Sequence, residues 1–199
     1  GNTQVIVREG NRYRVLGETL DMGLGNVMDV FGRSLKVEWA HGSVVEQLAK
    51  KGKYFELPYT VKGMDFALTG LLTAAVKSLE THSQEDVCFS LQETAYAMMT
   101  EATERAVALT KKKEVVVCGG VAQNSRLQEM LRTMCEERGA KFGVAPNEFN
   151  ADNGGMVAYS GALFEGEEFS AGELKVRQRY RIDEAKLPAK AFPPRQSGL

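Results

Sequence analysis

Histidine is nearly missing from this chain: there are two in 199 residues, His41 and His82. They stand in no metal-ligating spacing, and each reads as a surface residue. No His-Glu-x-x-His occurs, so ordinary zinc-protease chemistry has no support, and neither a Gly-x-Ser-x-Gly elbow nor a Walker A loop is present. Cysteine is also scarce. Cys88, Cys118 and Cys135 are an odd, scattered set without a Cys-x-x-Cys pair, which argues against a disulfide framework and for a reducing compartment. No run nears the roughly 20 apolar residues that cross a bilayer, and no signal peptide is visible. The chain opens on Gly1 without a methionine, which leaves an upstream targeting segment open.

What is there suits a soluble globular chain: 43% hydrophobic and 26% charged residues, enough for a core in one large domain or one lobe of a bilobal protein. The net charge of −1 hides an asymmetry. From Lys175 onward there are seven basic residues (Lys175, Arg177, Arg179, Arg181, Lys186, Lys190, Arg195) and two acidic ones (Asp183, Glu184); the rest carries 18 basic and 24 acidic. A basic end can meet a phosphate backbone or simply be a solvated strand and tail.

Pattern sets the elements. Gln4–Arg8 and Arg12–Leu16 read as strands joined by a hairpin turn at Glu9-Gly10-Asn11. Apolar residues at Met22, Leu24, Val27, Met28, Phe31 and Leu35 predict a helix over Asp21–Leu35. Ser43–Lys50 reads as a short helix with Ser43 and Glu46 as a capping box. Tyr54–Lys62, with Pro58, reads as loop or edge strand, Phe66–Leu68 as a strand, Thr69–Ser78 as a helix. Ser83–Thr110 reads as a long helix with acid at its start and Lys111–Lys113 at its end, as the helix dipole favours. Phe66, Phe89, Tyr96 and the methionines read as core. There is no internal repeat, and the stretch after Leu187 reads as poorly ordered.

The richest stretch is Glu114–Gly161. A short apolar run, Val115–Cys118, ends in Gly119-Gly120; a helical pattern, a second strand and the turn Asp152-Asn153-Gly154-Gly155 before another helix follow. Strand–Gly-Gly–helix brings backbone close to a nucleotide, because glycine has no Cβ and a helix start offers free N–H groups. Strand followed by glycine is also ordinary loop punctuation. The βαβ order favours the ligand reading, since such sheets bind beyond the carboxyl ends of their strands. Gly119, Gly120 and Asp152 are then expected on one rim. Asn124 is equally an N-cap, and Asp152 equally the cap of a helix over Gly155–Phe164.

At these residues the chain resembles a known family. GGVAQNSRLQEM and ADNGGMVAYSG, with GNTQVI at Gly1–Ile6, RYRVLGETLDMGLGNVMDVFGR at Arg12–Arg33, ELPYTVKGMDFALTGLL at Glu56–Leu72, CFSLQETAYAMM at Cys88–Met99 and QRYRIDE at Gln178–Glu184, resemble the TsaD family, also called O-sialoglycoprotein endopeptidase-like. The likeness covers nearly the whole chain up to Glu184 and is strongest to the archaeal and eukaryotic branch, the catalytic subunit of the KEOPS complex.

The resemblance implies an α/β protein of the ASKHA (actin/Hsp70/sugar-kinase-like) architecture, mainly its second lobe over residues 1–184, with 185–199 as a basic tail. The first lobe is then expected upstream of Gly1, and this chain alone to be inactive. The implied activity transfers threonylcarbamoyl from threonylcarbamoyl-AMP to the adenosine beside a tRNA anticodon, in the cytoplasm or nucleus, with an organelle left open. Implied nucleotide-binding residues are Gly1, Asn2, Asp29, Gly42, Glu46, Gly120 and Asn124. Asp29 is a ribose contact that unaided would read as a surface aspartate. Asp152 is the implied ligand to one divalent metal (iron, zinc or magnesium), the other ligands lying upstream. The loop Val37–His41 is two residues shorter than the family pattern, with His41 where proline is commoner, which bears on the register of Gly42 and Glu46. Implied partners are tRNA and the kinase-like and small dimerising KEOPS subunits, and no membrane. Rival readings are an assembly module without activity, the peptidase of the family's older label, and a sugar kinase or carbamoyltransferase of the same fold.

Overall fold

The computed structural model describes residues 2–35, 37, 42–151, 154–163, 170, 172, 176, 178 and 180–185. It is a mixed α/β structure built round one long helix. Strands β1 (Gln4–Glu9) and β2 (Arg12–Glu18) form an antiparallel hairpin with Glu9 opposite Arg12, so the turn is Gly10-Asn11. Helices α1 (Leu24–Ser34) and α2 (Gly42–Ala49) follow. A two-residue ladder, β3 (Val61–Lys62) with β4 (Asp65–Phe66), leads into α3 (Thr69–Ser78). Then come α4 (Gln84–Thr110), β5 (Glu114–Val117), α5 (Ser125–Glu137), β6 (Lys141–Val144) and α6 (Gly154–Ala162).

The spine is α4, whose 27 residues make a rod of about 40 Å at ~1.5 Å per residue. Ser83 starts it by accepting the Asp86 N–H at 3.1 Å. Lys111 ends it in the left-handed conformation, φ 55°. Val87, Cys88, Leu91, Ala95, Met98 and Ala102 are fully buried along it and meet Phe31, Phe66, Leu71, Leu127 and Leu131 from the surrounding elements. Burying this apolar surface supplies most of the driving force for folding. The expected core residues Phe66 and Tyr96 lie inside, while Phe89 is half-buried at the margin and Met156 is exposed.

Several boundaries depart from the sequence reading. Helix α1 starts at Leu24, because Asp21 is drawn away: its carboxylate accepts the N–H of Leu68 at 2.9 Å and of Thr69 at 2.8 Å, capping α3 instead. Helix α2 starts at Gly42, which places Ser43 inside it; the Glu46 carboxylate turns to Ser125 rather than back along its own helix, so no capping box forms. Strand β4 ends at Phe66, since Leu68 already leads into α3. Helix α6 begins at Gly154, and Phe164 lies outside the described residues. Cys118 falls past the end of β5 and is exposed.

The unit β5–α5–β6 is the expected parallel βαβ, with Val116 opposite Gly143. The described strands make three two-stranded sheets rather than one continuous sheet. The tail after Ala185 lies outside the described residues. Among the described residues no helix is long and apolar enough to cross a membrane.

Candidate functional site

The carboxyl end of β5 is where the chain concentrates its special backbone. Gly119 has φ +100°, a conformation side chains rarely adopt. It swings the chain out of the strand into a 3-10 turn, Gly120–Gln123, which passes to α5. The Gly120 N–H takes no partner among the described residues. Asn124 caps α5: its Oδ1 accepts the N–H groups of Arg126 at 3.0 Å and Leu127 at 3.1 Å. The turn is pinned from the β6 side by Asn150, which accepts the Gly119 N–H at 3.3 Å and donates to the Ala145 carbonyl at 2.8 Å. Loops after two parallel strands therefore meet at one rim, as the βαβ argument requires.

Facing this rim are the starts of β1 and α1. Asn2 donates to the Glu18 carboxylate at 2.9 Å and accepts from the Thr3 N–H and the Thr19 hydroxyl. The Thr3 hydroxyl accepts the Leu24 N–H at 2.9 Å, satisfying one of the free donors at the start of α1. Glu18 also takes Gln4 and, from the far end of the chain, Arg181 at 3.2 Å. The side-chain bond from Gln4 is the largest effect on Glu18; with Arg181 and Asn2 it outweighs burial and holds the carboxyl below its ordinary range. Arg181, one of the basic residues expected to meet RNA, is thus ion-paired with Glu18 and Asp183. The other six lie outside the described residues.

Asp29, on α1, accepts the Gly42 N–H at 2.9 Å. A Cβ on Gly42 would stand 3.1 Å from the Met28 Cβ and 3.4 Å from Asp29 Oδ1, so glycine lets α2 start against α1. Glu46, one turn along α2, accepts the Ser125 N–H at 3.2 Å and its hydroxyl at 2.9 Å. Arg126 completes the cluster with a two-point ion pair to Glu93, 2.7 and 2.8 Å, which together with Glu129 raises the arginine's already high pKa.

Asn2, Asn26, Asp29, Gly119 and Gly120 line one mouth of an open cleft of about 1180 Å³ whose deeper walls are β1, β5 and the end of α4. Of the sequence candidates, Asn2, Asp29 and Gly120 line this cleft; Gly42 is bonded to Asp29, Asn124 follows the Gly120–Gln123 turn, and Glu46 lines a separate small hollow with Ser125 and Arg126. Gly1 and Asp152 lie outside the described residues, as does His41; His82 is exposed and stacks on Phe55 at 4.0 Å. Among the described residues no three His, Cys, Asp or Glu side chains converge as a metal cage. Those described residues do not by themselves fit a metal.

Sequence reasoning missed Gln92, Ser125 and Asn150. Gln92 and Asn150 are buried polar residues, 4% and 3% exposed. For Gln92 the signal was a lone amide in the apolar stripe of α4; for Asn150 nothing local marks it.

The family model and the sequence relatives agree on one family. The TsaD family, described as tRNA N6-adenosine threonylcarbamoyltransferase, matches residues 1–159. A tRNA N6-adenosine threonylcarbamoyltransferase of Archaeoglobus fulgidus is 52% identical over 191 residues, 94% of this chain and 59% of that protein. One from Thermococcus sibiricus is 52% identical over 192 residues with the same coverage. A probable bifunctional tRNA threonylcarbamoyladenosine biosynthesis protein of Methanobrevibacter smithii is 50% identical, covering 94% of this chain and 36% of that protein. The chain thus spans 59% of the length of the first two relatives. Among solved structures, T. kodakarensis HypF aligns with a TM-score of 0.57 at 25% identity, over 72% of this chain and 20% of HypF.

Proposed function

The chain belongs to the TsaD family of tRNA N6-adenosine threonylcarbamoyltransferases, and we propose that it forms the nucleotide-holding part of such an enzyme, the second lobe of an ASKHA fold. The observation that carries this reading is that Asp29 on α1 and Gly120 after β5 line one cleft, with Gly42 bonded to Asp29 and Asn124 capping α5 just past the Gly120–Gln123 turn. The ligand is an adenine nucleotide, with threonylcarbamoyl-AMP as the reacting form.

In the reaction the exocyclic amine of a tRNA adenosine attacks the carbamoyl carbon. A nitrogen–carbon bond forms, the carbon–oxygen bond to phosphate breaks, and AMP leaves with the electron pair while the amine gives up a proton. The chain's own task is positioning. The Asp29 carboxylate accepts from ribose hydroxyls; the Gly120 N–H and the 3-10 turn meet phosphate; Gly42, Glu46 and Asn124 shape the floor. A divalent metal held partly by Asp152 would polarise the carbamoyl–phosphate group.

The enzyme works on tRNA in the cytoplasm or nucleus, beside KEOPS subunits. A second reading, an assembly module, is favoured by α6, whose residues are exposed although apolar, with Val157 at 73% and Tyr159 at 69%.

The test is calorimetric titration with AMP of the protein and of Asp29→Ala. Weakening by about tenfold or more, the size expected for a lost charge-assisted hydrogen bond, supports the site. Unchanged affinity removes Asp29 from it.

A further inference from the structure

Three consecutive residues at the start of α5 are each held by a different side chain from another helix. Asn124 donates its amide to Gln92 Oε1 at 3.1 Å, Ser125 donates to Glu46, and Arg126 pairs with Glu93. Glu46, Gln92 and Glu93 all line one small hollow with Ser125 and Arg126. Of the three, Gln92 is the buried one, 4% exposed, beside Leu91 and Ala95 in the apolar stripe of α4.

A buried amide costs free energy unless it is bonded, and by volume a methionine would fill the place. What the amide adds is orientation. The Asn124 side chain must present oxygen, not nitrogen, to the two N–H groups it caps. That leaves its NH2 for a neighbouring acceptor, and Gln92 Oε1 supplies one. With both ends of Asn124 occupied, the turn Gly120–Gln123 between it and Gly119 is fixed at each end, by Gln92 acting through Asn124 and by Asn150.

We propose that Gln92 is a positioning residue for the nucleotide: it orients Asn124, and through it the Gly120–Gln123 turn, without touching ligand. This rests on reading the cleft mouth as the nucleotide site, and the experiment separates the two. AMP affinity is measured by calorimetry for Gln92→Met, Asn124→Ala and the double variant, with circular dichroism to confirm folding. Gln92→Met is expected to weaken AMP binding about tenfold, with the double variant no weaker than Asn124→Ala alone, because coupled residues are not additive.

Additive losses overturn the proposal, for Gln92 then acts through packing alone. Wild-type affinity in Gln92→Met beside a weakened Asn124→Ala also overturns it while keeping the site. If the unaltered protein fails to bind AMP, or both single variants bind AMP normally, site and proposal fall together. Should Gln92→Met not fold, Gln92→Asn, which keeps the amide but is one methylene too short, carries the same expectations.

Discussion

Asn150 holds Gly119 across 31 residues of sequence, its Oδ1 accepting the glycine N–H at 3.3 Å while its Nδ2 grips the Ala145 carbonyl. The bond joins the loops that follow the two parallel strands. Asn150→Ala strips both partners and is expected to cost about 1–2 kcal/mol, the usual penalty for orphaning part-buried polar groups. AMP affinity should fall with it. Urea unfolding and an AMP titration check both; a variant as stable as wild type would make the contact incidental.

Asp21 gives the fold a pH dependence. Burial works against its ionised form, but the N–H groups of Leu68, Thr69 and Met22 outweigh that and hold its carboxyl below the ordinary value of 3.8. A lowered folded pKa means stability that is complete above the unfolded value and lost as pH falls from 3.8 through the lower folded value. Asp21→Ala should cost about 1 kcal/mol at neutral pH, as a lost helix cap does. The gap from wild type should close as the medium is acidified through that window, read by urea midpoints at several pH values.

The three thiols should separate cleanly. Cys118 is exposed and lines the cleft, whereas Cys88 and Cys135 are buried. Burial pushes the Cys88 thiol up to about 12, which removes the reactive thiolate. Iodoacetamide followed by mass spectrometry should therefore find Cys118 alkylated first, and bound AMP should slow it. Equal labelling of all three would contradict the packing of α4 and α5.

Leu91 is fully buried in the first third of α4. Leu91→Ala should destabilise the protein by about 2–5 kcal/mol, the range for a cavity left in a packed core. Thermal unfolding measures it, and a loss under ~1 kcal/mol would place Leu91 at a yielding site rather than in the core.

On the proposed reading, Asp152→Ala in the full-length enzyme should abolish tRNA modification while circular dichroism stays unchanged. The assay is threonylcarbamoyladenosine formed on tRNA. Normal turnover would take Asp152 out of the reaction.

Much of this was legible in the sequence. Helix α3 was marked to the residue by pattern alone, and α4 by its serine cap and its acidic first turn. Gly119-Gly120 marked the turn, and at Gly119 the backbone geometry demands glycine. The double role read for Asn124 stands half visible, with its cap in place. Less legible were the strands: two-residue β3 and β4 carry too few residues for a period to show. Asp21 was misassigned to α1 because its partners lie 47 and 48 residues on.

What the sequence determined by itself is local: periodicities, caps, the hairpin turn, and the ordered motifs that mark the family. These depend on neighbours within a few residues, whose geometry the chain carries wherever it folds. Only the tertiary structure decided where the carboxylates and amides go. Glu46 chose Ser125 across 79 residues, Gln92 chose Asn124 across 32, and Glu93 chose Arg126 across 33. A hydrogen bond forms only within about 3 Å, and helix packing alone brings those atoms so close.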